Sequence, residues 1–197
     1  MDSDLAEEIE YLTGLLTKSG FFSADEITEI LEDQFIDEEI DFSGFEISPA
    51  DSSNDNFFKL ENAFTNLSRE GIVAVHNCGY DIREGVSDAF ELYVHLANNK
   101  FKARGFCFYT FEDVEYAIFD GKLKITFGDF ENDENRALDI GKTVVEYLKA
   151  ENLPVKWEGT VNNQIEINPF TWDKSYDDKK EYEMEGAYEV YTKQVLK

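Results

Sequence analysis

The apolar run Ile72–Val75 restricts the fold of this chain more than any other feature of its sequence. A strand with apolar side chains on both faces needs cover on both faces, as a central strand flanked by helices has. Gly71 stands directly before the run, where a helix ending in a left-handed residue places glycine. The run therefore predicts an interior strand that follows a helix.

Helical and extended patterns alternate around this run. Apolar side chains recur at helical spacing in four segments: residues 57–67, 87–98, 111–119 and 136–150. Strand patterns cover 72–75, 105–109 and 122–127, and a final hairpin is predicted to pair Val155 and Trp157 with Ile165 and Ile167. The predicted order is β-α-β-α-β-α-β-β, which is typical of an α/β or α+β domain.

The sheet is predicted to be mixed, with about five strands and flanking helices. Only about 12 residues separate the second and third strands, which is the minimum for a parallel crossover. Lys122, Lys124 and Thr126 alternate with apolar residues, so we expect the third strand to have one exposed face and to lie near an edge. The residue pattern of the tyrosine-rich region after Trp172 is compatible with either a strand or a helix.

Two amphipathic helices are predicted ahead of this domain. The first covers residues 3–17, and the second begins at a capping box opened by Ser23. Residues 41–56 mix acidic residues with Gly, Pro and Ser and show no periodicity, which predicts a linker. We therefore divide the chain into an acidic helical N-terminal segment with its linker, 1–56, and an α/β domain, 57–197.

Charge is concentrated at the front of the chain. The formal net charge is -25, and residues 1–56 contain 17 acidic and 1 basic side chains. Such a field repels nucleic acid and phospholipid and attracts a basic protein over a Debye length of ~8 Å at physiological salt. We expect no nucleic-acid or membrane binding. The alternative is that the acidity serves solubility alone.

The segment 29–41 is the candidate binding region, because it could contact a basic protein surface as an inhibitor or immunity protein does. The alternative is a solvated face without a partner. The candidate binding residues are its seven carboxylates: Glu29, Glu32, Asp33, Asp37, Glu38, Glu39 and Asp41.

The sequence does not support several other classes of protein: membrane-spanning, secreted, metal-binding and nucleotide-binding. No apolar run approaches the ~18 residues of a membrane span, and the N-terminus lacks the features of a secretory signal, so we expect a cytoplasmic protein. Asp129–Asp133 spaces its oxygens as a calcium loop does, but the loop's glycine and final glutamate are missing. We expect no metal, no nucleotide and no other cofactor, and the sequence leaves the oligomeric state open.

One pair of residues suggests an enzyme. His76 and Cys78 follow the first strand two residues apart, so in extended geometry both side chains point the same way, and a neighbouring imidazole can activate a thiolate. If the strands are parallel, Tyr109 and Asp129 would converge on the same crevice as accessory groups. The alternative is a turn that holds a small buried cysteine and a hydrogen-bonded histidine.

The chain resembles a known family over roughly residues 57–172. The resemblance rests on five motifs: Asn77–Tyr80 after the apolar strand, Phe108–Asp113, Gly121–Gly128, Ile140–Val145 and Phe170–Trp172. The family is an uncharacterised bacterial domain of unknown function. The resemblance implies a fold and supplies no reaction, and the acidic first 56 residues lie outside it.

These observations favour a non-enzymatic interaction protein, of the inhibitor or immunity type, that recognises a basic protein through residues 1–56. The alternative is a small hydrolase or transferase that uses Cys78 and His76 in a crevice at the strand ends.

Overall fold

The computed structural model describes residues 3–38 and 40–195. The chain forms two compact units. One consists of the described residues up to Asn54 together with Asp173–Lys179, and the other of Asp55–Trp172 with the described residues from Lys180 onward. None of the helices in these described ranges combines the length and the apolar character needed to cross a bilayer.

The first unit contains helices α1 (Ser3–Ser19) and α2 (Ala24–Gln34) and a 3-10 turn at Ile36–Glu38. The capping box at the start of α2 is confirmed. The Ser23 hydroxyl accepts a hydrogen bond from the Glu26 backbone N–H at 3.2 Å, and the Glu26 carboxylate accepts one from the Ser23 N–H at 2.7 Å. These bonds satisfy two amides that the helix leaves without partners.

A segment from far along the chain completes this unit. Asn54 N–H donates to the Asp173 carbonyl and Tyr176 N–H donates to the Ala50 carbonyl, each at 3.0 Å. Lys174 is only 1% exposed, and its ammonium donates to backbone carbonyls and lies 4.7 Å from the centre of the Phe21 ring. Part of the predicted linker is thus held by backbone hydrogen bonds.

The second unit carries the sheet. Its helices are α3 (Asp55–Leu67), α4 (Ile82–Asn98), α5 (Phe111–Asp120), α6 (Glu134–Ala150) and α7 (Met184–Val195). Its strands are β1 (Ile72–Val75), β2 (Gly105–Phe108), β3 (Leu123–Asp129), β4 (Val155–Lys156) and β5 (Ile165–Ile167). The tyrosine-rich region that the sequence leaves undecided therefore contributes a helix, α7.

The predicted mixed sheet of five strands is confirmed, and the fold is of the α+β class. The strand order is β1-β2-β3-β5-β4, in which β1 and β2 are parallel and the remaining pairs are antiparallel. All four residues of β1 are buried, as the apolar run predicts. Gly71 ends the 3-10 turn Ser68–Glu70 that precedes β1, with φ 73° in the left-handed region.

Two local predictions are wrong. Strand β3 lies in the middle of the sheet and not near its edge. Its alternating pattern reflects one half-buried face instead of an exposed one. On this strand, the Lys124 ammonium lies 4.6 Å from the centre of the Tyr116 ring of α5. Helix α4 begins at Ile82, with Asp81 as its N-cap, instead of at Ser87.

The first turn of α4 contains a glycine, Gly85, that allows close packing. Gly85 lies inside the helix, where an added Cβ would stand 2.5 Å from the Phe108 ring and 2.6 Å from the Cys78 carbonyl oxygen. A glycine inside a helix usually costs about 1 kcal/mol relative to alanine. Here it allows the helix to approach β2 and the turn after β1.

We therefore expect Gly85→Ala to destabilise the second unit by roughly 1–3 kcal/mol through overpacking. Ser87→Ala, two residues along the same helix and exposed, should change the stability by less than ~0.5 kcal/mol. Urea unfolding followed by tryptophan fluorescence measures both, because the two tryptophans, Trp157 and Trp172, lie in this unit. Equal stability of the two variants would contradict the close packing.

Candidate functional site

The candidate site in the first unit is an acidic face, defined here as Glu29, Glu32, Asp33, Asp37 and Glu38. Helix α2 buries Ile27 and Leu31 completely, so the three carboxylates that share its opposite side point to solvent. The 3-10 turn that follows α2 adds two further exposed carboxylates, Asp37 and Glu38. All five residues of the acidic face are exposed.

These five carboxylates have no cationic partner within residues 3–38 and 40–195. Glu29 also stands three and four residues from Glu32 and Asp33, a spacing at which like charges cost ~0.2–0.5 kcal/mol per pair. The acidic face therefore does not serve the stability of its own helix.

Two of the predicted binding residues differ from the rest. Glu39 lies outside the described residues. The Asp41 carboxylate accepts hydrogen bonds from the Ser43 hydroxyl at 2.6 Å and from the Ser43 backbone N–H at 3.0 Å, and these bonds lower the pKa of Asp41. Asp41 is thus exposed but engaged in a local turn.

An exposed apolar residue, Ile36, stands next to the carboxylates of the acidic face in the chain. Its side chain is 71% exposed, directly before Asp37 and Glu38. The sequence pattern does not single out Ile36, because a lone apolar residue after a helix gives no periodic signal. An exposed isoleucine among carboxylates provides an apolar contact point within a charged surface.

In the second unit, the structure brings His76 and Tyr109 together. The His76 Nδ1 atom lies 2.9 Å from the Tyr109 hydroxyl oxygen, and the Phe64 and Phe57 rings lie 4.6 Å and 5.4 Å from the imidazole between ring centres. His76 is 8% exposed and Tyr109 is fully buried, and this burial raises the pKa of Tyr109 well above its usual range. The pair belongs to an aromatic core region.

Cys78 lies on the other side of the sheet, so the expectation that it points the same way as His76 is wrong. Asn77 has φ 49°, which breaks the alternation of an extended chain. The Cys78 side chain packs in the core cluster that contains Val73 and Val75, and its thiol donates to the Gly85 carbonyl at 3.4 Å. Burial raises the pKa of Cys78 strongly, with smaller contributions from nearby carboxylates.

Asp129 does not join the other candidates either. Because β3 runs antiparallel to β2, Asp129 is opposite Gly105, at the end of the sheet away from Tyr109. Its carboxylate accepts hydrogen bonds from the Glu131 and Asp133 backbone N–H groups, both at 2.9 Å, and lies 3.4 Å from the Arg136 guanidinium. Asp129 therefore shapes its own loop, and no three potential metal ligands cluster in the described part of the chain.

Because only the thiolate reacts, we expect both buried cysteines, Cys78 and Cys107, to alkylate more than ~10-fold slower than free cysteine at pH 8. Iodoacetamide labelling followed by peptide mass mapping measures each thiol separately, and labelling in denaturant is the control for full reactivity. A native Cys78 that reacts as fast as a free thiol would restore the nucleophile hypothesis.

Comparison with known proteins agrees with the resemblance seen in the sequence. A family described as a domain of unknown function (DUF6891) matches residues 49–176. The ends of the match coincide with the hydrogen bond between Tyr176 N–H and the Ala50 carbonyl. The acidic face and α7 lie outside the match. No curated protein and no solved structure matches the chain.

Proposed function

We propose that this chain, which belongs to the DUF6891 family of domains of unknown function, is a non-enzymatic protein-interaction module that binds a basic surface of another protein. It would act as an inhibitor or immunity protein does, by covering that surface. The observation that carries the proposal is the acidic face, whose five carboxylates are exposed and have no cationic partner in the described residues.

Charge at such a surface acts mainly on the rate and the specificity of association. One exposed ion pair contributes only ~0.2–1 kcal/mol, so a single carboxylate would matter little. Several carboxylates on one face act together, and the net charge of -25 adds a long-range attraction for a basic partner. Salt should weaken such binding, because it shortens the range of the field.

Ile36 supplies an apolar contact, which the carboxylates cannot provide. Affinity at protein interfaces is usually concentrated in a few apolar or aromatic anchors that a polar rim surrounds. Ile36 is exposed and stands beside carboxylates, so it suits the role of an anchor.

Other observations support the proposal less directly. The thiol of Cys78 is buried away from His76, so the hydrolase or transferase alternative lacks an activated nucleophile. The described cysteines are free thiols, which fits a reducing compartment, and we therefore propose a cytoplasmic location.

We expect the triple variant Glu29→Gln, Glu32→Gln, Asp33→Asn to lose about tenfold or more in affinity for the partner, since it removes three favourable charges. The partner is first captured on the tagged protein at low salt, identified by mass spectrometry and purified. Calorimetry then gives Kd at low salt and at ~0.5 M salt, where screening should weaken wild-type binding strongly.

The matched control is Glu112→Gln, Asp120→Asn, Glu146→Gln, which makes the same chemical changes at exposed positions of the second unit. It should bind within about threefold of the wild type. If the two variants lost affinity equally, the acidic face would contribute only through the net charge of the protein. If neither variant lost affinity, the proposal would be refuted.

A second prediction concerns the anchor. Ile36→Ser should weaken binding about tenfold and leave the free energy of unfolding within ~0.5 kcal/mol, because the side chain is already exposed. Ile82→Ser, at a 45% exposed isoleucine of the second unit, is the control and should bind as the wild type does. Normal binding by Ile36→Ser would exclude Ile36 from the interface.

A further inference from the structure

A groove lies between α4 and α7 of the second unit. Its volume is about 630 Å3, within the usual range of ligand pockets. The two helices are fixed to each other by a shared core cluster that includes Leu92, Leu96, Ala187 and Tyr191. The two helices that line the groove are therefore packed against each other.

The floor of the groove is apolar. Leu92 is buried, Met184 and Tyr188 are half-buried, and the Val94 side chain is 53% exposed along one wall. The ring centres of Tyr188 and His95 lie 4.7 Å apart. An apolar side chain of an occupant would be favoured on this surface, because its burial removes apolar area from water.

The rim of the groove is negative. Glu91 on α4 and Glu185 on α7 are exposed, and neither forms an ion pair among the residues that the structure describes. A third carboxylate, Glu189, pairs with Lys193 at 2.6 Å on the surface. Burial, and then the charges of Glu91 and Glu84, raise the pKa of nearby Asp88, in agreement with a negative field along α4.

The apolar floor and negative rim together fit one kind of occupant. We propose that the α4–α7 groove binds a basic amphipathic helix of a partner protein, with an aliphatic side chain on the floor and Lys or Arg side chains at Glu91 and Glu185. This inference rests on the proposed function, since it assumes a basic protein partner. It adds a second contact site, on the unit that carries the sheet.

The geometry favours a helix over other occupants. The α4 residues that line the groove, from Glu91 to Asn98, span about two helical turns or ~10 Å, which suits helix-in-groove recognition. A second copy of this chain is disfavoured, because each copy carries a net charge of -25. A small cation would leave the apolar floor exposed.

The test uses a fluorescently labelled synthetic peptide with leucines on one helical face and lysines beside them, and the full-length protein. Anisotropy titration should show binding that a scrambled peptide of the same composition lacks. The groove variant Glu91→Lys, Glu185→Lys should lose about tenfold or more in affinity. Val94→Thr should weaken binding as well, because it replaces an apolar group on the wall with a polar one and leaves the charge unchanged.

The control variant Glu112→Lys, Glu146→Lys makes the same charge change outside the groove and should bind within about threefold of the wild type. The triple variant of the acidic face should bind this peptide normally, so failure of the acidic-face proposal and failure of the groove proposal give different results. Equal binding of the scrambled peptide would overturn the inference. Binding of spermine would also overturn the inference if two conditions held: the groove variant abolishes it, and the wild type shows no preference for the amphipathic peptide over spermine.

Discussion

Burial of one face of each helix decides where the charges of this protein lie. Helix α2 buries Ile27 and Leu31, so its carboxylates are forced outward together. Helix α4 buries Leu92 and Leu96 in the core cluster that it shares with α7, which leaves Glu91 on the rim of a groove. Both proposed contact surfaces are therefore consequences of helix packing, and each combines exposed carboxylates with an accessible apolar side chain.

Much of the fold follows from local sequence. The apolar run Ile72–Val75 predicts a buried strand, and Ser23 predicts a capping box, because both signals act within a few residues of the chain. The start of α4 carries a signal of the same kind, because the Asp81 side chain accepts a hydrogen bond from the Glu84 backbone N–H three residues on. The close packing at Gly85 could not be predicted in this way. Gly85 is needed there because α4 packs closely against the Phe108 ring, and that contact spans more than twenty residues of sequence.

The candidate sites also differ in whether local sequence could predict them. The carboxylates of the acidic face could be predicted, because charge and helical period are local properties. The pairing of His76 with Cys78 could not be tested by spacing alone, since the positive φ of Asn77 turns the two side chains to opposite sides. The groove could not be predicted from the sequence either, because it depends on the packing of α7 against α4.

If a basic partner covers the acidic face, the carboxylates of that face lose their access to solvent in the complex. Carbodiimide labelling of carboxylates, read by mass spectrometry in the free protein and in the complex, measures this access residue by residue. We expect the labelling of Glu29, Glu32 and Asp33 to fall in the complex and the labelling of Asp120 and Glu146 to stay unchanged. Unchanged labelling of the acidic face in a saturated complex would contradict this expectation.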